Sequence, residues 1–343
     1  KKKIYIFMNH STFIVILLVL FTTNKYANAG KENNRPIIGV LTVPLDVGGC
    51  VTYASMIKSL KDGVAPTSCF HNLYVQWIES AGARVVPIPY NKPISEIDDI
   101  LIGLNGILFT GGDVVLQNLT STYMKTAKYL LDQVKKINDN GEYFPLWGTC
   151  MGIQTISVLV AEDPSVLSLN KFDSENLMLP LNFTIHAAKS KLFNLENYPM
   201  PMKSEIYNWF QNNPVTTNLH HDGLHPNTFV TNTNLNNFFH ILSTNRGRKG
   251  NQFVSTIEGI KYPVFATQWH PERPQFEWGT DGTTTDPINH DFYAISCSQY
   301  VSNFYINEAR KNNRKYKTIE EEGTRLIYNY KVTGDTYYQV YLF

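Results

Sequence analysis

The chain has 343 residues, 43% hydrophobic and 17% charged, and its 30 Lys and Arg against 29 Asp and Glu leave a net charge of +1. That is enough chain for one large α/β domain, and the balance offers no strong field toward nucleic acid or an anionic membrane. Four cysteines are too few for a disulfide scaffold, and no repeat of fixed period stands out.

The N-terminus reads as an address. Lys1, Lys2 and Lys3 precede the apolar run FIVILLVLF (13–21), and Ala27 and Ala29 follow with the spacing of a cleavage site. A basic start, a short apolar core and an A-x-A ending describe a secretory signal peptide over 1–29, leaving a mature domain over 30–343. The run is short for a membrane span, so no stable anchor is expected after cleavage; an uncleaved anchor is the alternative. In a secreted chain the sequons at Asn118 (NLT) and Asn182 (NFT) become glycosylation acceptors. Cys50 and Cys69 flank a loop of about 20 residues and are either bridged, which stabilises by about 3 kcal/mol through loop closure, or two separate thiols.

From residue 36 the text alternates. PIIGVLTV (36–43) is a near-continuous apolar run, as in a strand buried on both faces. A loop with Gly48, Gly49 and Gly63 follows, then a helix over 71–83 ending at Gly82. RVVPIPY (84–90) is a second strand, and SEIDDILIGL (95–104) a helix with Ser95 as N-cap. GILFTGG (106–112) is a third strand running into a glycine turn, before a long helix over 121–139. YFPLWGT (143–149) is a fourth strand and MGIQTISVLV (151–160) a helix. This βαβα order predicts a mostly parallel sheet with helices on both faces. Residues 163–242 read as short strands and loops, NQFVSTIEG (251–259) and PVFATQWH (263–270) as a strand pair closing the sheet, 289–313 as a final helix, and TYYQVYLF (336–343) as a β-like tail.

The chemistry concentrates at Cys150. It stands between a strand and a helix, with Gly148 and Gly152 two residues to either side. This is the Gly-x-nucleophile-x-Gly elbow, whose glycines let the turn be tight. The helix beginning at Met151 aims its N-terminus at the sulfur, where its dipole and free N–H groups favour a thiolate and an oxyanion. The Met151 N–H is the first oxyanion donor, and Gly112, at the end of the neighbouring strand, is placed to supply a second.

A thiolate needs a base. His270 follows the strand VFATQW directly, so it too lies at a strand end; it can take and return the thiol proton. Glu272, two residues on, can orient the imidazole and stabilise its cation. HHDGLH (220–225) holds three histidines, but their spacing matches no zincin pattern and Pro226 breaks a helical reading, so no metal site is expected.

FPLWGTCMGIQ (144–154), LPLNFT (179–184) and YPVFATQWHPERPQFEW (262–278), with RPIIGVL (35–41), ESAGARVVP (79–87) and FYINEARKNN (304–313), resemble the gamma-glutamyl hydrolases, cysteine peptidases related to class I glutamine amidotransferases. The resemblance implies an α/β fold, a flavodoxin-like three-layer α/β/α sandwich of the class I glutamine amidotransferase type. It implies cleavage of the γ-glutamyl bonds of folate or antifolate poly-γ-glutamates without a cofactor, a homodimer, and a lysosomal, vacuolar or extracellular location. Cys150 matches the family's nucleophile, His270 its catalytic histidine and Glu272 the Glu of its His-Pro-Glu segment. His220, in TNLHHDGL, matches a histidine near the active site. One position departs: animal members typically carry Glu four residues after the nucleophile, where this chain has Gln154. Arg273 and Lys249 are candidates for holding substrate carboxylates. Two rivals remain, a glutaminase subunit feeding ammonia to a synthase, which Gln154 favours and the signal peptide opposes, and a secreted binding protein without catalysis, which the intact Cys150, His270 and Glu272 oppose.

Overall fold

The computed structural model describes residues 32–47, 50, 65–194, 203–278, 288–335 and 337–343. The expected signal peptide, and the loop glycines Gly48, Gly49 and Gly63, lie outside these residues. In chain order the elements used below are β1 (Ile37–Leu41), β2 (Val43–Pro44), β3 (Ser68–His71), α1 (Asn72–Ser80), β4 (Arg84–Ile88), α2 (Ile94–Leu101), β5 (Gly106–Phe109) and α3 (Thr122–Asp139). They continue with β6 (Leu146–Thr149), α4 (Met151–Ala161), β7 (Leu167–Ser168), β8 (Leu177–Leu179), β9 (Asn182–Phe183), α5 (Lys203–Asn212), β10 (Thr216–Asn218), β11 (Gly223–Leu224), α6 (Pro226–Thr231) and α7 (Thr233–Phe238). Last come β12 (Phe239–Arg246), β13 (Gln252–Gly259), β14 (Val264–Thr267), α8 (Arg273–Phe276), α9 (Phe292–Ala309), α10 (Ile319–Arg325), β15 (Val332–Gly334) and β16 (Gln339–Leu342).

The main sheet runs β4-β1-β5-β6-β14-β13-β12-β9. Its first five strands are parallel, and β13, β12 and β9 extend it antiparallel. Counted along the chain, the parallel part has the order 2-1-3-4-5 of a doubly wound flavodoxin-like sheet. Because side chains alternate across a strand, Ile37 and Leu41 of β1 fall into one core and Ile38 and Val40 into the other. Ile97 and Leu101 of α2, Met124 and Leu130 of α3, and Ile153 and Ile156 of α4 fill the first. Trp77 and Ile78 of α1 and Tyr300, Val301 and Phe304 of α9 fill the second. Helices on both faces make the three-layer α/β/α sandwich expected of the apolar, both-faces-buried strands.

Several boundaries differ from the sequence reading, each for a local reason. The apolar run 36–43 is cut at Thr42, whose N–H donates to Ile88 O, and Val43–Pro44 joins a second sheet of order β15-β16-β3-β2. His71 belongs to β3 and only caps α1. Ser95 is not the cap of α2: Glu96 and Ile97 donate to the Pro93 carbonyl, so the helix starts at Ile94. Ser121 does cap α3, its hydroxyl accepting from Met124 N. The segment 163–242 contains, besides short strands, the helices α5, α6 and α7 and the first residues of the eight-residue strand β12. β14 therefore lies inside the sheet rather than closing it.

Cys50 and Cys69 are joined, with their Cα atoms 6.4 Å apart, which decides for the bridge. It ties the segment after β2 to β3, and β16 also pairs with β3. No helix among the described residues is long and apolar enough to cross a membrane.

Candidate active site

Three parallel strands, β5, β6 and β14, carry their C-terminal ends to one edge of the sheet, and the site forms there. Cys150 is the residue between β6 and α4, and its N–H donates to Thr267 O of β14 at 2.7 Å. Its backbone has φ 53 and ψ −108, a conformation that costs a non-glycine residue about 1–3 kcal/mol and is held only where packing imposes it. The two glycines permit the close packing that holds it. A Cβ on Gly152 would stand 2.4 Å from the Phe109 carbonyl oxygen, and one on Gly148 2.8 Å from the Gly152 carbonyl carbon. Only a chain without side chains at both positions brings α4 so close to β5.

His270 follows β14 and is anchored by its N–H donating to Thr217 O at 2.8 Å. Its Nδ1 lies 2.6 Å from Glu272 Oε1, with 4% and 1% of the two side chains exposed. A carboxylate only accepts, so Nδ1 carries the proton and the other ring nitrogen is left for the sulfur; the imidazole hydrogen-bonds the Cys150 side chain. Burial alone would pull the His270 pKa down. The Glu272 charge, and after it that of Cys150, outweighs burial and raises it from 6.5 to about 9. Glu272 is likewise opposed by burial, yet the His270 charge and hydrogen bond, then Arg273, hold it below its ordinary 4.5. The pair is therefore an imidazolium against a carboxylate at neutral pH.

Arg273, a candidate for gripping substrate, is otherwise engaged. It is ion-paired to Glu277, and its Nε stands 4.0 Å from Glu272 Oε1, a charge contact too long for a hydrogen bond. Lys249 is exposed in the turn between β12 and β13.

The histidine cluster divides. His220 is buried, and its Nδ1 donates to the Asp222 carbonyl at 2.9 Å, leaving Nε2 buried without a partner. Burial, above all, lowers its pKa to about 3, so it stays neutral with a bare acceptor nitrogen. His221 is exposed and 3.5 Å from Glu175, while His225 caps α6 by accepting from Asn227 N. Among the described residues no three or more His, Cys, Asp or Glu side chains gather as a metal group.

Met151 and Gly112 meet, but through a side chain. A Cβ on Gly112 would lie 3.1 Å from Met151 Cε, and Met151 Sδ accepts from Val114 N at 3.1 Å. The preceding residue, Gly111, is the one against Cys150 and His270: a Cβ there would be 3.0 Å from His270 Cε1 and 3.4 Å from Cys150 Cβ. Its N–H donates to Tyr74 Oη at 2.8 Å. Asn118 and Asn182 are both exposed. Asn118 Oδ1 accepts from the N–H and hydroxyl of Thr120, and Asn182 Nδ2 reaches Thr244 Oγ1 at 3.4 Å.

Sequence reasoning missed two polar groups here. Tyr74 fits the apolar stripe of α1 and carried no separate signal, yet its hydroxyl lies at the site and burial pushes its pKa well above the ordinary value. Gln268, two residues before His270 and the first residue past β14, is a polar side chain in the strand-like run VFATQW; that signal was present in the sequence. Its Nε2 lies 3.7 Å from Cys150 Sγ, which also faces the Leu219 carbonyl at 3.8 Å.

Known proteins resemble the chain over most of its length. A model of the peptidase C26 family matches residues 47–272. Gamma-glutamyl hydrolase B of Dictyostelium discoideum is 41% identical over 320 residues, 93% of this chain and 84% of that protein. Gamma-glutamyl hydrolase of Mus musculus is 38% identical over 321 residues, 92% of this chain and 91% of that protein. Gamma-glutamyl hydrolase 1 of Arabidopsis thaliana is 30% identical over 317 residues, 91% of this chain and 83% of that protein. Among solved structures, a glutamine amidotransferase from Thermotoga maritima aligns with TM-score 0.41 at 9% identity, covering 80% of this chain and 98% of that one.

Proposed function

The chain belongs to the peptidase C26 family, as a cysteine peptidase of the gamma-glutamyl hydrolase kind, and from that premise we propose that it cleaves folate poly-γ-glutamates through a thioester on Cys150. The observation that carries the mechanism is the buried His270–Glu272 pair beside the sulfur. A His270 proton held to about pH 9 favours a thiolate–imidazolium pair over the neutral couple.

The thiolate attacks the γ-carbonyl of a glutamyl link. The oxyanion develops in front of the Met151 N–H at the start of α4, with Gly112 as second donor. His270 gives its proton to the departing amine, and the C–N bond breaks. His270, now neutral, takes a proton from water, whose oxygen attacks the thioester and returns Cys150 as the thiolate. Glu272 stays ionised and orients the imidazole. His220, neutral and bare at Nε2, is suited to accept a substrate N–H. These side chains, two backbone N–H groups and one water account for every proton and charge in this sequence, so the proposal includes no metal or organic cofactor.

Folate polyglutamate as substrate, a homodimer, and passage through the secretory pathway to lysosome, vacuole or exterior are parts of the same proposal. The family resemblance supports the first two. The signal-like N-terminus and the Cys50–Cys69 bridge support the third, since disulfides persist in oxidising compartments. Sequon occupancy at Asn118 and Asn182 follows from it.

Mass spectrometry of the products of a folate pentaglutamate, with wild type and Cys150→Ala, tests the reading. Cysteine-dependent release of glutamates is the expected result. No cleavage, with ammonia released from free glutamine, would favour the glutaminase reading that Gln154 suggests.

A further inference from the structure

We propose that Gln154 is a positioning residue: it fixes the direction of the Gln268 amide so that Gln268 Nε2–H donates to Cys150 Sγ and holds the sulfur as thiolate. This rests on the reading of Cys150 as nucleophile and adds a device that the elbow and the His270–Glu272 pair do not contain.

The inference follows from who can donate. The Asp222 backbone carbonyl is only an acceptor. Gln154 Nε2 lies 3.1 Å from it, and His220 Nδ1 2.9 Å. Turned the other way, the Gln154 amide would set oxygen against oxygen, so the Asp222 carbonyl fixes its orientation. The same Nε2 has a second hydrogen and lies 3.3 Å from Gln268 Oε1. That contact turns the Gln268 oxygen toward Gln154 and leaves its NH2 group 3.7 Å from Cys150 Sγ. The relay thus runs in one direction, from a fixed carbonyl through two amides to the sulfur. Gln154 is 6% exposed and Gln268 0%, so water does not compete to turn either amide. Gln154 reaches this place because it is the fourth residue of α4, one turn along from the elbow.

The other titratable or charged groups around Sγ are His270 with Glu272 and Arg273 on the segment after β14, and Tyr74 on α1, while His220 after β10 lies beside His270. None of them is a partner of the Gln154 amide. Gln154→Glu reaches the sulfur through Gln268 and through its own added charge, so Gln154→Met, which adds no charge, isolates the part carried by Gln268. An ionised carboxylate cannot donate to Asp222 or to Gln268 Oε1; it accepts from Gln268 Nε2, and the Gln268 oxygen then turns to Sγ. An acceptor facing the sulfur favours thiol over thiolate. Gln154→Met, of similar volume and without a donor, leaves Gln268 unfixed.

The test measures iodoacetamide alkylation of Cys150 against pH by peptide mapping, beside the pH profiles of kcat and KM, for wild type, Gln154→Glu and Gln154→Met. Mapping separates Cys150 from the other free thiol, the buried Cys297. Near-ultraviolet circular dichroism establishes which variants are folded, and Gln154→Met carries the test if Gln154→Glu does not fold. The expected result is an acid-side midpoint, for alkylation and for kcat alike, raised by about one to two pH units in Gln154→Glu and by less in Gln154→Met, with KM little changed. An unchanged midpoint in folded variants overturns the relay. Alkylated wild type that keeps its turnover would instead overturn the nucleophile reading on which the relay stands.

Discussion

Gly152→Ala tests whether the elbow is what places Cys150, the proposed nucleophile. The added Cβ would stand 2.4 Å from the Phe109 carbonyl oxygen, well inside the 3.0 Å that Cβ contacts essentially never breach. Phe109 cannot yield, because β5 is paired on both sides, with β1 and β6. The strain must fall on the first turn of α4, which moves away by about half an ångström or more and takes Cys150 with it. Overpacking of this kind costs about 1–3 kcal/mol, and displacing a reacting group by ~1 Å costs about a hundredfold in rate. We therefore expect kcat/KM to fall roughly 30- to 100-fold, chiefly in kcat, with a lower Tm. Gly323→Ala is the control: a Cβ there meets nothing within 4 Å, and both quantities should hold or rise slightly. Gly152→Ala with near wild-type kcat/KM and Tm would refute the close-approach argument.

Removing one partner of a buried ion pair costs about 3–5 kcal/mol of stability, and losing the carboxylate that orients the imidazole should lower kcat/KM by at least about a hundredfold in Glu272→Gln. The alkaline limb of the pH–rate profile should also move down from near the His270 value of about 9; an unmoved limb would separate Glu272 from the base. The same pair shapes stability. His270, raised from 6.5 to about 9, contributes fully below 6.5 and loses its contribution as pH rises through about 9. Glu272, lowered from 4.5, contributes above 4.5 and loses it as pH falls through its depressed value. Tm should therefore be highest near pH 4.5–6.5 and decline on either side, and thermal melts of Glu272→Gln should show both slopes flattened. Replacing Cys50 and Cys69 by Ser opens a bridge between residues 19 apart in sequence and should cost about 3 kcal/mol, read as a lower denaturant midpoint.

The parallel half of the sheet was legible because its strands are buried on both faces and each apolar run is bounded by glycine, proline or a helix start. Cys150 was legible for a related reason: Gly148 and Gly152 leave a spacing that little else requires. His270 and Glu272 sit within two residues of each other, so their partnership is local. What could not be read depends on chain segments far apart in sequence. Tyr74 reaches Gly111 across 37 residues, and Gln154 reaches Gln268 across 114. The helices of 163–242 were hidden by short length and Asn-rich composition: α7 reads TNLNNF, with Leu235 its one fully buried side chain. Ser95 looked like a cap by type, but the Pro93 carbonyl had already taken the first helical donors.

The most direct test of the thioester mechanism is to trap the acyl-enzyme. Wild type is mixed with a poly-γ-glutamyl substrate, quenched in acid within a turnover, and mapped by peptide mass. The expected result is an acyl adduct on the peptide containing Cys150, lost with turnover in Cys150→Ala. Turnover that persists in Cys150→Ala, or an adduct on any other residue, would contradict the mechanism.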